Sequence, residues 1–203
     1  MEKVKNMQPL SIYMESNPNP NSMKYVVNYD IVPADHTFDY PDVQSAINSP
    51  LALELFNFPF VDRVFFMNNF VTITKREDIE WFEIQNQLRD FLYGYLQENK
   101  PVVVNTEAAG PSTSQEPVGE EPNKPSTELE QKIITILDEY VKPAVEMDGG
   151  AITFDSFDNG ILKLQLQGSC SGCPSSMVTL KSGIENLMKR MVPEVETVEA
   201  VEA

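Results

Sequence analysis

Cysteine, histidine and basic residues are all scarce in this chain, and each scarcity excludes something. Two cysteines among 203 residues, three positions apart, cannot staple a secreted fold, which takes several disulfides. A single histidine, His36, rules out a histidine-rich metal centre. Lysine and arginine number 15 against 31 acidic residues, for a net charge of -16. Phosphate backbones and anionic lipids require clustered positive charge, so neither a nucleic-acid surface nor a membrane surface is expected. No stretch reaches the roughly 18 consecutive apolar residues of a membrane span. Met1 to Leu10 holds no apolar core and no arginine, so neither a secretory signal nor an organellar transit segment is expected there. These absences favour a bacterial cytoplasmic protein over a mature organellar one.

What remains is ample for folding. Hydrophobic residues make up 41% of the chain and charged residues 23%, enough to bury a core. The acidity is spread, with 8 basic against 14 acidic residues in 1–100, 1 against 4 in 101–127, and 6 against 13 in 128–203. It reads as solubility rather than as one acidic face. No internal repeat is present.

A compositional break divides the chain. Residues 101–127 are rich in Pro, Ser, Thr, Glu and Gly, with almost nothing apolar after Val104. Such a segment cannot offset its ordering entropy and reads as a flexible linker. It leaves an N-terminal domain, 1–100, and a C-terminal domain, 128–203. The fold class expected is α+β, two small domains of mixed helix and sheet.

In the first domain, Leu10–Met14 and Met23–Tyr29 read as strands around the turn cluster Asn17-Pro18-Asn19-Pro20-Asn21. Ser49-Pro50 opens a short helix through Phe56. Val61–Met67 and Phe70–Thr74 read as a hairpin about Asn68-Asn69. Ile79–Gln97 has helical spacing, with Ile79, Phe82, Leu88, Phe91, Leu92 and Tyr95 on one stripe. Trp81 and its aromatic neighbours read as core packing before any ligand pocket.

The second domain reads α-β-β-α-β. A helix capped by Ser126 or Thr127 runs through Ile133, Ile134, Leu137 and Val141, and Pro143 should end or kink it. Ala151–Phe157 and Ile161–Gln167 form strands about Asp158-Asn159-Gly160. A helix follows with Met177, Leu180, Ile184, Leu187, Met188 and Met191 at helical spacing, then a strand over Val195–Val201. Asp148-Gly149-Gly150 is a turn that calls for positive φ at glycine, and a place beside a bound cluster or a dimer contact is its functional reading.

The chemistry concentrates at Gly168-Ser169-Cys170-Ser171-Gly172-Cys173-Pro174, between strand and helix. Pro174 suits a first helical position, which sets Cys173 at the N-cap. Unpaired N–H groups and the positive helix end lower thiol pKa values there, and thiolate is the metal-binding form. Ser169, Ser171, Ser175 and Ser176 are placed to donate hydrogen bonds to sulfur, which tune cluster potential. Two inert buried side chains would leave this setting unexplained. Iron–sulfur and structural zinc sites take about four ligands, and one chain offers two thiols. His36 lies across the linker amid acidic and turn residues, and carboxylates are poor soft ligands. Two chains related by a twofold axis, each giving Cys170 and Cys173, complete a site most economically.

Residues 128–203 resemble the NifU C-terminal, or Nfu, domain. The match runs through Tyr140-Val141-Lys142-Pro143, Met147-Asp148-Gly149-Gly150, the paired strands, the segment from Gly168 to Ser176, and Leu180, Lys181 and Gly183-Ile184-Glu185. Residues from about 10 to 100 are similar to the Nfu N-terminal domain at Asn19-Pro20-Asn21-Ser22-Met23-Lys24, Ser49-Pro50-Leu51-Ala52 and Val61-Asp62-Arg63-Val64-Phe65-Phe66. The resemblance implies a non-enzymatic iron–sulfur carrier. Such a protein would receive a cluster from an upstream assembly scaffold. It would hold a [4Fe–4S] cluster, or a [2Fe–2S] cluster, between two protomers through Cys170 and Cys173. It would then deliver that cluster to apo client proteins, with the N-terminal domain aiding recognition. A dithiol oxidoreductase and a zinc site shared by a dimer are the competing readings. The first lacks the Cys-Gly-Pro-Cys arrangement, and the second uses the same ligands.

Overall fold

The computed structural model describes residues 9–34, 36–104, 128–171 and 174–202. It divides into two compact units, Met1–Ala109 and Gly110–Ala203. The fold class is α+β, as expected.

The N-terminal unit is a five-stranded antiparallel sheet with helices against one face. Its strands are β1 (Ile12–Ser16), β2 (Ser22–Val27), β3 (Thr37–Tyr40), β4 (Val61–Met67) and β5 (Phe70–Lys75), in spatial order β1-β2-β5-β4-β3. Asn68 takes φ 46 in the β4–β5 turn, a left-handed conformation that asparagine tolerates. Registers Tyr25↔Val71, Met23↔Ile73 and Phe66↔Val71 place these residues on one face. There they pack with Ile84, Leu88, Leu92 and Tyr95 of α2 (Trp81–Gln97). On the opposite face, Lys24 lies 4.4 Å over the Phe70 ring, and Arg63 forks onto Asp39 at 2.7 and 2.6 Å. Long charged side chains cover aromatic surface there.

Two N-terminal expectations change. Phe82 was placed on the buried stripe, yet it is 72% exposed and Ile84 is buried instead. The two are 200° apart around the helix, so only one can face the sheet. Thr37–Tyr40, which the sequence pattern does not mark as an element, is the edge strand beside β4. The aromatics are indeed core: Phe58, Phe60, Phe91 and Tyr95 stack on one another, and Trp81 donates its indole N–H to the Pro20 carbonyl.

Ser49 shows how tightly sequence and packing agree. It caps α1 (Pro50–Leu55), accepting from the Ala52 amide at 3.0 Å, with Pro50 in the first turn. The same hydroxyl donates to the Val102 carbonyl at 2.7 Å, and the Val104 amide reaches the Asn48 carbonyl. Residues 101–104 therefore pack on the N-terminal unit instead of starting the linker. The remainder of the segment read as linker, 105–127, lies outside the described residues, as do the proposed caps Ser126 and Thr127.

The C-terminal unit follows the order α-β-β-α-β. Helix α3 (Glu128–Ile136) widens into a π-turn over Leu137–Val141, then resumes as α4 (Lys142–Met147). The widening lies immediately ahead of Pro143, whose missing N–H and bulky ring cannot enter a regular helix interior. The sheet order is β6 (Gly150–Asp158), β7 (Ile161–Gly168), β8 (Thr197–Glu202). Asn159 and Gly160, at φ 48 and 80, make the tight turn between β6 and β7. The β7–β8 pair is parallel, so the chain must cross over, and α5 (Pro174–Met191) is that crossover. Leu162, Leu164 and Leu166 face Ile133, Leu137, Val145, Ile184 and Met188, while Ile161 and Lys163 face water. Glu185 on α5 accepts from the Val198 amide and pairs with Lys189, tying the crossover to β8.

Replacing Ser49 with Ala should destabilise the N-terminal unit by about 1–3 kcal/mol, because one cap is lost and a buried carbonyl is stranded. Trp81 is the sole tryptophan, so its fluorescence during urea unfolding of the full chain reports this unit alone. An unchanged midpoint would show that the cap contributes nothing.

Candidate functional site

The site is built where β6 and β7 end. Their last rung pairs Gly150 with Gly168, and both flanking turns need left-handed glycine, φ 78 at Gly149 and 67 at Gly168. Gly150 also meets a steric demand. A Cβ there would stand 2.7 Å from the Gln167 carbonyl and 2.9 Å from Cys170 Sγ. The sulfur thus rests directly on bare backbone, and no larger residue fits without movement.

Cys170 lies in the loop leading from β7 toward α5, in the core cluster with Leu166 and Ile184, and is 7% exposed. Ser169 donates its hydroxyl to the Asp148 carbonyl at 2.5 Å and its amide to the Gly149 carbonyl at 3.3 Å. Ser171 donates its hydroxyl to the Leu166 carbonyl at 2.7 Å. These bonds revise the expectation that both serines donate to sulfur. A hydroxyl carries one proton, and backbone carbonyls are the stronger acceptors. Ser169 Oγ keeps a 3.8 Å contact with Cys170 Sγ. The turn Asp148-Gly149-Gly150 carries the left-handed glycine it called for, and its Gly150 lies against Cys170.

Burial pushes the Cys170 thiol up to about 11, with the nearby Asp148 charge adding to the rise and the Ser169 contact opposing it. Burial in the core disfavours the charged form of this thiol. The thiolate expected from the helix start is that of Cys173, which lies outside the described residues. Cys173, Gly172 and the side chains of Pro174 to Met177 lie outside the described residues. The partnership of Cys170 with Cys173 therefore rests on sequence. His36 belongs to the N-terminal unit, where its ring contacts the Ala34 carbonyl and stacks on Phe38. Among the described residues, no group of three or more His, Cys, Asp or Glu is placed to hold a metal ion. No helix among them is long and apolar enough to cross a membrane.

Known proteins resemble the chain in both units. The family described as "Scaffold protein Nfu/NifU N terminal" matches residues 12–99, and "NifU-like domain" matches residues 133–199. The protein called "NFU1 iron-sulfur cluster scaffold homolog, mitochondrial" in Homo sapiens is 36% identical over 191 residues, covering 94% of this chain and 71% of that protein. Its namesake in Drosophila persimilis is 37% identical over 190 residues, covering 94% of this chain and 64% of that one. A NifU-like protein of Saccharomyces cerevisiae, solved by NMR, overlaps 52% of this chain and 94% of its own, at 21% identity and a TM-score of 0.44.

The mitochondrial names overturn the expected bacterial cytoplasmic location. That expectation rested on the first ten residues. The chain spans 61–64% of the length of its relatives in Drosophila persimilis, Drosophila willistoni and Drosophila virilis, so those residues do not report the compartment. With both domain families in order and a relative matched along 71% of its length, the chain belongs to the Nfu family of iron–sulfur cluster scaffold proteins.

Proposed function

We propose that the protein carries an iron–sulfur cluster as cargo, holds it as a [4Fe–4S] unit between two protomers through Cys170 and Cys173 of each, and passes it to apo client proteins. The observation that carries the reading is a ligand count. Clusters of this kind take about four thiolates, and this chain has two cysteines, three residues apart in a Gly/Ser loop that leads into α5. The family names of its relatives support the cargo, and their mitochondrial designation supports an organellar setting.

A half-site explains delivery as well as capture. Each protomer contributes two thiolates, so an acceptor with its own cysteines replaces them one at a time. A complete four-cysteine site in one chain would hold the cargo more firmly. The N-terminal unit docks on the client, and the covalent link keeps the cysteine unit at a raised local concentration. The domains proposed are a recognition unit that extends through residue 104, a linker after it up to residue 127, and a cluster-binding unit over 128–203. The role is transfer without catalysis of a chemical conversion.

Anaerobic reconstitution with iron, sulfide and a thiol should give a brown dimer with about two iron and two sulfide per chain. Cys170→Ala and Cys173→Ala should each abolish uptake. A colourless dimer with about one zinc per two chains would replace the cluster with a shared structural metal. A monomer that reduces disulfides and binds no iron would replace it with an oxidoreductase.

The raised Cys170 thiol predicts a pH effect on the metal-free C-terminal unit. Its pKa is about 11 when folded and about 8.5 when unfolded, so the unfolded chain loses this proton first. Stability from the group is complete below about pH 8.5 and is lost as pH rises toward 11. The thermal midpoint should therefore fall more steeply over that window in the parent than in Cys170→Ala. Parallel slopes would place the sulfur in water.

A further inference from the structure

We propose that Ser169 is a positioning residue of the cysteine site. Its hydroxyl pins the cysteine loop to the Asp148–Gly150 turn and holds Cys170 under cover until the loop is released. The inference deepens the carrier reading and rests on it for its purpose, but its geometry stands apart from it.

Beyond the Gly150–Gly168 rung the two strands diverge, one toward α4 and the other toward α5. Ser169 bridges that divergence twice, by its hydroxyl to the Asp148 carbonyl at 2.5 Å and by its amide to the Gly149 carbonyl at 3.3 Å. Ser171 makes a bond of similar length that stays within its own strand end, at the Leu166 carbonyl. It braces the loop internally. The difference matters because Cys170 stands between the two serines. Its sulfur is seated on Gly150, so close that a Cβ at that position would lie 2.9 Å away. A sulfur seated this way and 7% exposed does not meet an iron shared with a second chain. Cys170 must leave that seat, and the Ser169 hydroxyl and amide bonds to the turn both oppose its leaving.

The test is the reactivity of Cys170 in the metal-free full-length chain, read by timed iodoacetamide labelling and peptide mass mapping at fixed pH below 8. Ser169→Ala should raise labelling of Cys170 by about five- to tenfold, the factor one lost hydrogen bond supplies. Ser169→Thr, which keeps the hydroxyl, should return it to near the parent rate, and Ser171→Ala should leave it within about twofold. Far-UV circular dichroism checks that each variant is folded. Equal labelling of parent and Ser169→Ala, or equally fast labelling of Ser169→Ala and Ser171→Ala, overturns the proposal. Should Ser169→Ala not fold, the parent decides alone. A pinned sulfur must label at least about tenfold slower in the native chain than in urea, and equal rates overturn the pin. No cluster enters any of these readings. A parent that takes up no iron sinks the carrier function and leaves the pin standing. A parent that loads normally, with Ser169→Ala labelling like the parent, does the reverse.

Discussion

Two backbones approach at the Gly150–Gly168 rung more closely than side chains allow, and the candidate site depends on that approach. Because Gly150 has no Cβ, the Gln167 carbonyl and the Cys170 sulfur occupy the space one would fill. Because Gly149 and Gly168 accept positive φ, both chains turn away immediately after the rung. The loop then heads for α5, and the turn leads back into α4. The antiparallel β6–β7 pairing and the parallel β7–β8 pairing fix the rung, and the leucines of β7 hold the sheet against its helices. Packing far from the cysteine thus sets the cysteine's position.

Much of this was legible in the sequence because the signals are local. Asn159-Gly160 marks its turn, Pro174 its helix start, and the alternation from Ile161 to Gln167 its half-buried strand. Pro143 announced an irregular helix, and the π-turn that answers it is one of the few ways a helix absorbs a proline. The misses depend on neighbours that periodicity does not reveal. Thr37–Tyr40 spans only four residues and becomes a strand through β4. Phe82 and Ile84 both look suited to the core, and only the docking of α2 chooses between them. At the cysteine loop, composition identified the serines but not the carbonyls that claim them. Asp148 is 21 residues from Ser169, and nothing short of the folded rung brings the two together.

The same limit explains the thiol. Read linearly, the positive helix end falls at Cys173, and Cys170 stands three residues before it. In three dimensions Cys170 turns inward and joins Leu166 and Ile184. The helix-end interaction is worth about 1 kcal/mol and fades within a turn, whereas desolvating a charged sulfur costs several times as much. Position in sequence gave the element and left the burial of the Cys170 side chain to the fold.

In the proposed carrier, electrostatics would favour release of the cargo. A [4Fe–4S] core with four thiolates carries a net charge of roughly −2, and residues 128–203, with 6 basic and 13 acidic residues, are themselves net negative. Asp148 lies near enough to oppose ionisation of Cys170. Two such chains meeting around a common anion bring their own repulsion to the contact, moderated by salt screening over about 8–10 Å. What offsets it is thiolate–iron bonding, which an acceptor supplies equally well from its own cysteines. In that proposal, strong bonds that are replaced in kind, set in a like-charged frame, would make retention weak and exchange easy. A storage site would invert both choices, with four ligands from one chain and basic residues around them.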